Sequence, residues 1–216
     1  MIRLVVADDQ DILRSGLVAL LRLEPDIEVV AEATDCASTV AAVTEHTPDV
    51  LLLDVQMPVG TPSDGVGGGA TAPEDGIEVA RHLHGSMAQP PRIIVLTTFG
   101  RAGYLRRAME AGAQGFMVKD TPVERLVDAI RRVQQGLRVV DPDLAAQSLA
   151  VGASPLTAKE TEILQHAAAG LGTAQIAGTV HLSEGTVRNH VSAAIGKLGV
   201  GTRAEAVRVA TDNGWL

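Results

Sequence analysis

Asp49-Val-Leu-Leu-Leu-Asp54-Val-Gln-Met-Pro58 is the stretch that decides how the chain is read. Val50 to Leu53 show no polar alternation. They read as a strand buried on both faces, the condition of a parallel sheet flanked by helices. Asp54 then stands at the carboxyl end of that strand, where open α/β sheets place their ligand sites. A second such end lies near the start, where Leu4-Val5-Val6-Ala7 runs into Asp8 and Asp9. If the two strands are neighbours, three carboxylates converge, and their repulsion calls for a hard cation. An oxygen-only set of this size suits Mg²⁺. Such an ion beside a strand-end aspartate prepares the carboxylate to take a phosphoryl group by in-line attack.

Working outward, Ile12, Leu13, Gly16, Leu17, Leu20 and Leu21 repeat at helical spacing, and residues 28–33 read as a second strand. A short helix over about 37–46 precedes the central strand. Residues 92–97 form a fourth strand, 101–111 a helix closed by Gly112, and 115–119 a fifth strand. Leu126, Ile130, Val133 and Leu137 mark a fifth helix. Five alternations of strand and helix give a doubly wound, five-stranded parallel sheet. Asp8, Asp9, Asp54, Thr97 and Lys119 all fall at carboxyl ends of strands or just beyond them. A single strand-end aspartate is commonly a turn or helix cap. Carboxylate, carboxylate, hydroxyl and ammonium at four strand ends of one sheet are hard to read as caps.

Asp8-Asp9, the LLLDVQMP run with Asp54, Leu96-Thr97-Thr98, and Ala111-Gly-Ala-Gln-Gly-Phe-Met-Val-Lys-Asp120 together resemble the receiver domain of bacterial two-component response regulators, a flavodoxin-like fold, over roughly residues 1–125. The resemblance implies that Asp54 is the phosphoacceptor. Asp8, Asp9, Asp54 and the backbone carbonyl of Gln56 would hold Mg²⁺. Thr97 and Phe116 would form the switch pair, and Lys119 the phosphate contact. One segment departs from the family. Val59 to Asp75, 17 residues rich in Gly, Pro, Ser, Thr and Ala, stand where about three are expected from the resemblance. They read as a surface loop, or more sharply as a lid over Asp54. Gly65-Val-Gly67-Gly-Gly-Ala70 formally fits a dinucleotide-binding string, but no strand precedes it.

The expected domains are a receiver over 1–137, a linker over 138–154 punctuated by Asp141-Pro142 and Ser154-Pro155, and a second domain over 155–216. The last opens on a capping box, Thr157 to Glu160, and a second one, Thr202 to Glu205, starts its final helix. Ser183 is a good N-cap, and Val187, Val191, Ile195 and Leu198 form one apolar stripe of the helix it starts. Two short helices, the second with a polar outer face, fit a helix-turn-helix, or simply a small helical bundle. LTAKETEIL, IAGTVHLSEGTVRNHV and KLGV resemble the four-helix DNA-binding domain of the LuxR type, so the whole chain resembles a NarL/FixJ-type response regulator. That resemblance implies a sensor histidine kinase, a double-stranded DNA operator and a phosphorylation-promoted homodimer as partners. It puts Arg188, Asn189 and Ser192 in the major groove and Thr186 and Lys197 at phosphates, and it counts Ser183 among the DNA-binding residues. Arg188 would read guanine through its bidentate fork. Ala206, Val207, Val209 and Ala210 are a candidate contact between two DNA-binding domains, or packing within one.

The net charge of -8 lies wholly before residue 154, where 13 Lys+Arg face 21 Asp+Glu; from 154 onward there are five of each. So balanced a second domain binds DNA weakly as one copy, and pairing on two half-sites offsets that. Aromatics are 2%, so the core must be aliphatic. Cys36 is the only cysteine, which excludes an internal disulfide and fits a reducing cytoplasm. The one cysteine and six histidines show no metal spacing. No run approaches the ~18 apolar residues of a membrane span. Two rival functions fit parts of this pattern. A phosphohydrolase of the haloacid dehalogenase type wants a second aspartate two residues past the nucleophile, where Gln56 stands, so turnover on external substrates is not expected. A receiver that switches without phosphate is opposed by the retained Asp8, Asp9, Asp54, Thr97 and Lys119.

Overall fold

A computed structural model describes residues 1–61, 73–98, 102–152 and 154–216, with the side chains of 102 and 147–151 outside the description. Residues 62–72, the body of the expected loop with its glycine string, lie outside the described residues. The chain divides into two compact units. One is Met1–Gly100 with Arg107–Ala145, the other Arg101–Arg106 with Ala146–Leu216.

In the first unit, β1 (Ile2–Ala7), β2 (Ile27–Ala33), β3 (Val50–Asp54), β4 (Arg92–Thr97), β5 (Gly115–Val118) and β6 (Val139–Val140) form one sheet. Its order is β2-β1-β3-β4-β5-β6, and every pairing is parallel. The intervening helices are α1 (Asp11–Leu21), α2 (Cys36–His46), α3 (Gly76–Ser86), α4 (Ala102–Glu110) and α5 (Val123–Gln134). The doubly wound parallel sheet stands as expected, but its strand count is six rather than five. Val139 and Val140 fall in the stretch read as linker and pair with Gly115 and Phe116. Two residues are too few to show a period, and Asp141-Pro142 behind them reads as a break. A helix α6 (Pro142–Val151) follows.

The four residues Val50 to Leu53 are each 0% exposed, so the central strand is buried on both faces. Val50 and Leu52 join Leu4, Val6, Val18 and Ile130 in the layer of α1 and α5. By alternation, Leu51, Leu53 and Phe116 face the opposite layer. Fully burying a leucine contributes roughly 1.5–3 kcal/mol, so the strand that carries Asp54 is also an anchor of the fold. Helix α5 ends at Gln134, short of the expected Leu137. Gly136 takes φ +85, which halts the helix, and Leu137 lies beyond it, 48% exposed.

The second unit holds α7 (Ala158–Ala168), α8 (Thr173–Thr179), α9 (Glu184–Leu198) and α10 (Arg203–Asp212). Thr157–Glu160 and Thr202–Glu205 both form capping boxes, and Ser183 caps α9 through Thr186 N–H at 3.1 Å. Along α9, Val187 and Ala194 are the fully buried residues. Val191, Ile195 and Leu198, expected to share that stripe, are only half-buried. Of the α10 residues offered as a contact between copies, Ala206 and Ala210 are 0% exposed in their own unit's core, beside Leu164 and Ala194. Val207 packs against the same cluster.

Candidate functional site

From β1 the chain turns to β2 on one side, while β3 lies on the other, so the sheet reverses direction between β1 and β3. Crevices outside strand ends at such a reversal are where open α/β sheets bind ligands. Ala7 pairs with Leu53, which sets Asp8 beside Asp54. The carboxylate oxygens of Asp8, Asp9 and Asp54 lie within 4.8 Å of one another. Asp8 and Asp54 are each 2% exposed, and Asp9 is open to solvent. The Lys119 ammonium donates to Asp8 Oδ2 at 2.7 Å and to Asp54 Oδ2 at 2.8 Å. Asp54 Oδ1 accepts from Gln56 N–H at 3.2 Å, and Asp8 Oδ1 from Gln10 N–H at 2.9 Å.

Burial, reinforced by the Asp8 charge, lifts the Asp54 carboxyl above the usual carboxylate range against the pull of Lys119. For Lys119, burial alone would lower the ammonium, but its bonds to Asp54 and Asp8 prevail and raise it. One ammonium thus faces two buried carboxylates and a third nearby. The remaining negative charge and all-oxygen donors fit a hard divalent cation. Thr97 ends β4, 3% exposed, and its carbonyl accepts from Lys119 N–H at 2.8 Å. Phe116 lies on β5 opposite Val95, fully buried. The structure therefore gathers Asp8, Asp9, Asp54, Thr97 and Lys119 at one end of the sheet, with the Phe116 ring turned inward.

Sequence reading missed Arg14. Its Nη1 donates to the Asp8 carbonyl at 2.7 Å and its Nη2 to Asp11 at 2.6 Å, pinning the turn that carries Asp8 and Asp9. Asp8 lies in the turn after β1 and Arg14 within α1, so no single period links them and no pattern announces the bond. Asp75, also unassigned, caps α3 through Glu78 N–H at 2.8 Å and accepts from Arg107 at 3.1 Å.

On α9, Ser183, Arg188, Asn189 and Ser192 are exposed, and Thr186 is half-buried with its hydroxyl 2.9 Å from that of Ser183. Arg188 is held by Glu184 one turn earlier, at 3.3 Å. Lys197 is engaged within its own unit. Its ammonium donates to Glu160 Oε2 at 2.7 Å, tying the end of α9 to the start of α7. Glu160 is 4% exposed and also accepts from Thr157 N–H at 2.7 Å. Burial alone would raise its carboxyl, but the bonds from Lys197 and Thr157 prevail and hold it below the ordinary range. A carboxyl depressed in the fold stabilises above its unfolded pKa, and that share is lost as pH falls through the folded value. Melting of the second unit, followed by the single Trp215, should therefore drop below about pH 4.5. Glu160→Gln should flatten that drop; equal slopes for both proteins would dismiss the pair as a stabilising element.

Comparison with known proteins adds the following. A family model described as response regulator receiver domain matches residues 4–131. A second, described as bacterial regulatory proteins of the luxR family, matches residues 154–210. The chain is 39% identical over 216 residues to the transcriptional regulatory protein DesR of Bacillus subtilis, covering 100% of both. It is 35% identical to the response regulator RamR of Streptomyces coelicolor, covering 100% of this chain and 98% of that one. Among solved structures, the response regulator ChrA of a heme-sensing two-component system aligns with a TM-score of 0.55 at 34% identity, over 100% of this chain and 98% of that one.

Proposed function

The chain belongs to the NarL/FixJ-type response regulators, DNA-binding proteins of two-component systems that join a receiver domain to a LuxR-type domain, and from that membership we propose the steps by which its own residues act. A sensor histidine kinase presents a phosphohistidine, and an oxygen of Asp54 attacks the phosphorus in line. The new O–P bond forms as the P–N bond to the kinase breaks, and the imidazole nitrogen keeps the electron pair. Asp8, Asp9, Asp54 and the Gln56 carbonyl would hold Mg²⁺, which when bound would offset charge on the phosphoryl oxygens. Lys119 leaves Asp54 Oδ2 for a phosphoryl oxygen, Thr97 hydrogen-bonds a second, and the inward Phe116 ring holds the switched arrangement. The observation that carries this reading is the convergence of Asp8, Asp9 and Asp54 with Lys119 between two of them.

The output is DNA binding by a dimer, with a receiver whose sheet runs on to Val140, a linker that ends at 154, and 155–216 as reader. Balanced charge after residue 154 supports the need for two copies. A reducing cytoplasm suits the lone Cys36, and no helix among the described residues is long and apolar enough to cross a membrane. Arg188 reads a guanine after releasing Glu184, while Ser183, Asn189 and Ser192 set its register and Thr186 approaches a phosphate. The Glu160 pair leaves Lys197 a positioning part first, with a phosphate contact only where DNA draws its ammonium away. DNA enriched from random sequence by the phosphorylated protein tests the reading. Arg188→Ala should weaken binding to that DNA by ~1–3 kcal/mol, roughly five- to 150-fold. Unchanged affinity would remove Arg188 from the interface.

A further inference from the structure

Arg14 sets a guanidinium against the turn that carries Asp8 and Asp9. Coulomb repulsion makes a fixed cation there a cost to any divalent ion those carboxylates hold. What Arg14 offers is geometric. Its Nη1 donates to the Asp8 carbonyl at 2.7 Å, and that oxygen belongs to the peptide group joining Asp8 to Asp9. The two carboxylates are anchored unequally. Asp8 Oδ1 accepts from Gln10 N–H and Oδ2 from Lys119, while the Asp8 N–H donates to the Ala33 carbonyl at 3.0 Å. Asp9 is exposed, and no partner among the described residues holds its carboxylate. Its aim is therefore set by the backbone, through the plane of the Asp8–Asp9 peptide.

Two acids take up the charge of Arg14. Its Nη2 donates to Asp11 Oδ1 at 2.6 Å, and its Nε lies 3.5 Å from Glu32 Oε2 on β2. A guanidinium is a planar fork, so the bond to Asp11 also fixes the direction of the bond to the Asp8 carbonyl. The side chain is 11% exposed, which shields both bonds from water. Gln10, at the start of α1, makes no side-chain cap of its own, so Arg14 braces this turn in its place. With Asp11 and Glu32 against it, the guanidinium grips the peptide while its field at the cluster is offset.

We propose that Arg14 is a positioning residue for phosphoryl uptake, fixing the Asp8–Asp9 peptide so that both carboxylates face one Mg²⁺. This rests on the phosphoryl reading of Asp54 given above. Arg14 itself touches neither the ion nor the phosphoryl group. Its effect falls on how tightly Mg²⁺ binds and not on transfer once the ion is in place. Charge and geometry give opposite signs here. Removing a cation beside the cluster tightens Mg²⁺ binding if charge decides, and weakens it if the peptide decides.

Mg²⁺ affinity of the full chain, read from the rise of the receiver's melting temperature with Mg²⁺ concentration, tests this on the wild type, Arg14→Lys and Arg14→Met. Initial rates of phosphoryl uptake from acetyl phosphate over the same Mg²⁺ series give a second readout. Methionine keeps an unbranched stem but donates nothing; lysine keeps the charge but not the fork. Arg14→Met should weaken Mg²⁺ binding about tenfold or more, the usual scale for a group that orients metal ligands from behind. The half-saturating Mg²⁺ for uptake should rise by the same factor, with the rate at saturating Mg²⁺ unchanged. Arg14→Lys should fall between Arg14→Met and the wild type. Mg²⁺ bound by Arg14→Met as tightly as by the wild type, or more tightly, would overturn the proposal. So would a lower saturating rate at unchanged Mg²⁺ affinity. If Arg14→Met shows no melting transition without Mg²⁺, Arg14→Lys decides alone, and unchanged affinity in it would overturn the proposal. A wild type that binds no Mg²⁺, or takes up no phosphoryl at any Mg²⁺ concentration, would overturn the phosphoryl reading itself and this inference with it.

Discussion

Asp54→Asn should reduce phosphoryl uptake from acetyl phosphate to background, with the acyl phosphate followed by mass or gel mobility. Asparagine keeps the shape and the acceptor for Gln56 N–H but removes the nucleophilic oxygen and one negative charge. Asp8 and Asp9 do not substitute for it. Asp8 is committed to Gln10 and Lys119, and Asp9 lies on the solvent side of the cluster. The same change should raise the melting temperature in the absence of Mg²⁺. An acid raised above its unfolded pKa by burial and by Asp8 binds its proton more tightly in the fold, so its ionised form destabilises at neutral pH. A neutral amide lifts that penalty. Label retained by Asp54→Asn would move the acceptor to Asp8 or Asp9; a lower melting temperature would show that Lys119 more than offsets the cost of burial.

Gly76→Ala should be the most damaging single methyl group in the receiver. Gly76 opens α3, and its N–H donates to the Val55 carbonyl at 3.0 Å. A Cβ there would lie 1.9 Å from the backbone oxygen of Asp54 and 2.9 Å from its carbonyl carbon. Both partners are backbone, so neither can swing aside. Overpacking costs ~1–3 kcal/mol where side chains adapt, and more where they cannot. The expectation is a loss of about 3 kcal/mol, or roughly 10 °C in melting temperature for a domain of this size. Slower phosphoryl uptake should accompany it, because the displaced atom belongs to Asp54. Gly16→Ala is the control: its Cβ meets nothing within 4 Å, and helix propensity favours it by up to ~1 kcal/mol. Equal melting of the two variants would show that α3 can slide away from β3 without cost.

The sheet and its strand-end residues were legible because burial on both faces leaves a continuous apolar run. Val50 to Leu53 carry that signal, and the polar residue that ends each such run is visible by contrast. What stayed hidden depends on partners distant in sequence or on single backbone angles. The bond from Lys197 to Glu160, 37 residues away, has no trace in the spacing of its own helix. Leu137 continues the spacing of α5, but the left-handed Gly136 has already ended the helix. Val139 and Val140 become a strand only because β5 offers them an edge. Along α9, the bulky Val191 and Ile195 mark the apolar side, yet it is the small Ala194 that fits where α7 and α10 close in. Spacing showed the apolar residues of α1 but not which of them the core uses: Val18 and Leu21 are buried, while Ile12 and Leu20 are left outside.

The central claim is that a phosphoryl group on Asp54 drives assembly. Sedimentation velocity with Mg²⁺ and beryllofluoride, which stands in for the phosphoryl group, measures it on the wild type and Asp54→Ala. A shift from monomer to dimer in the wild type alone is the predicted result. No shift, or the same shift in both proteins, would contradict the account and leave a receiver that switches without phosphate.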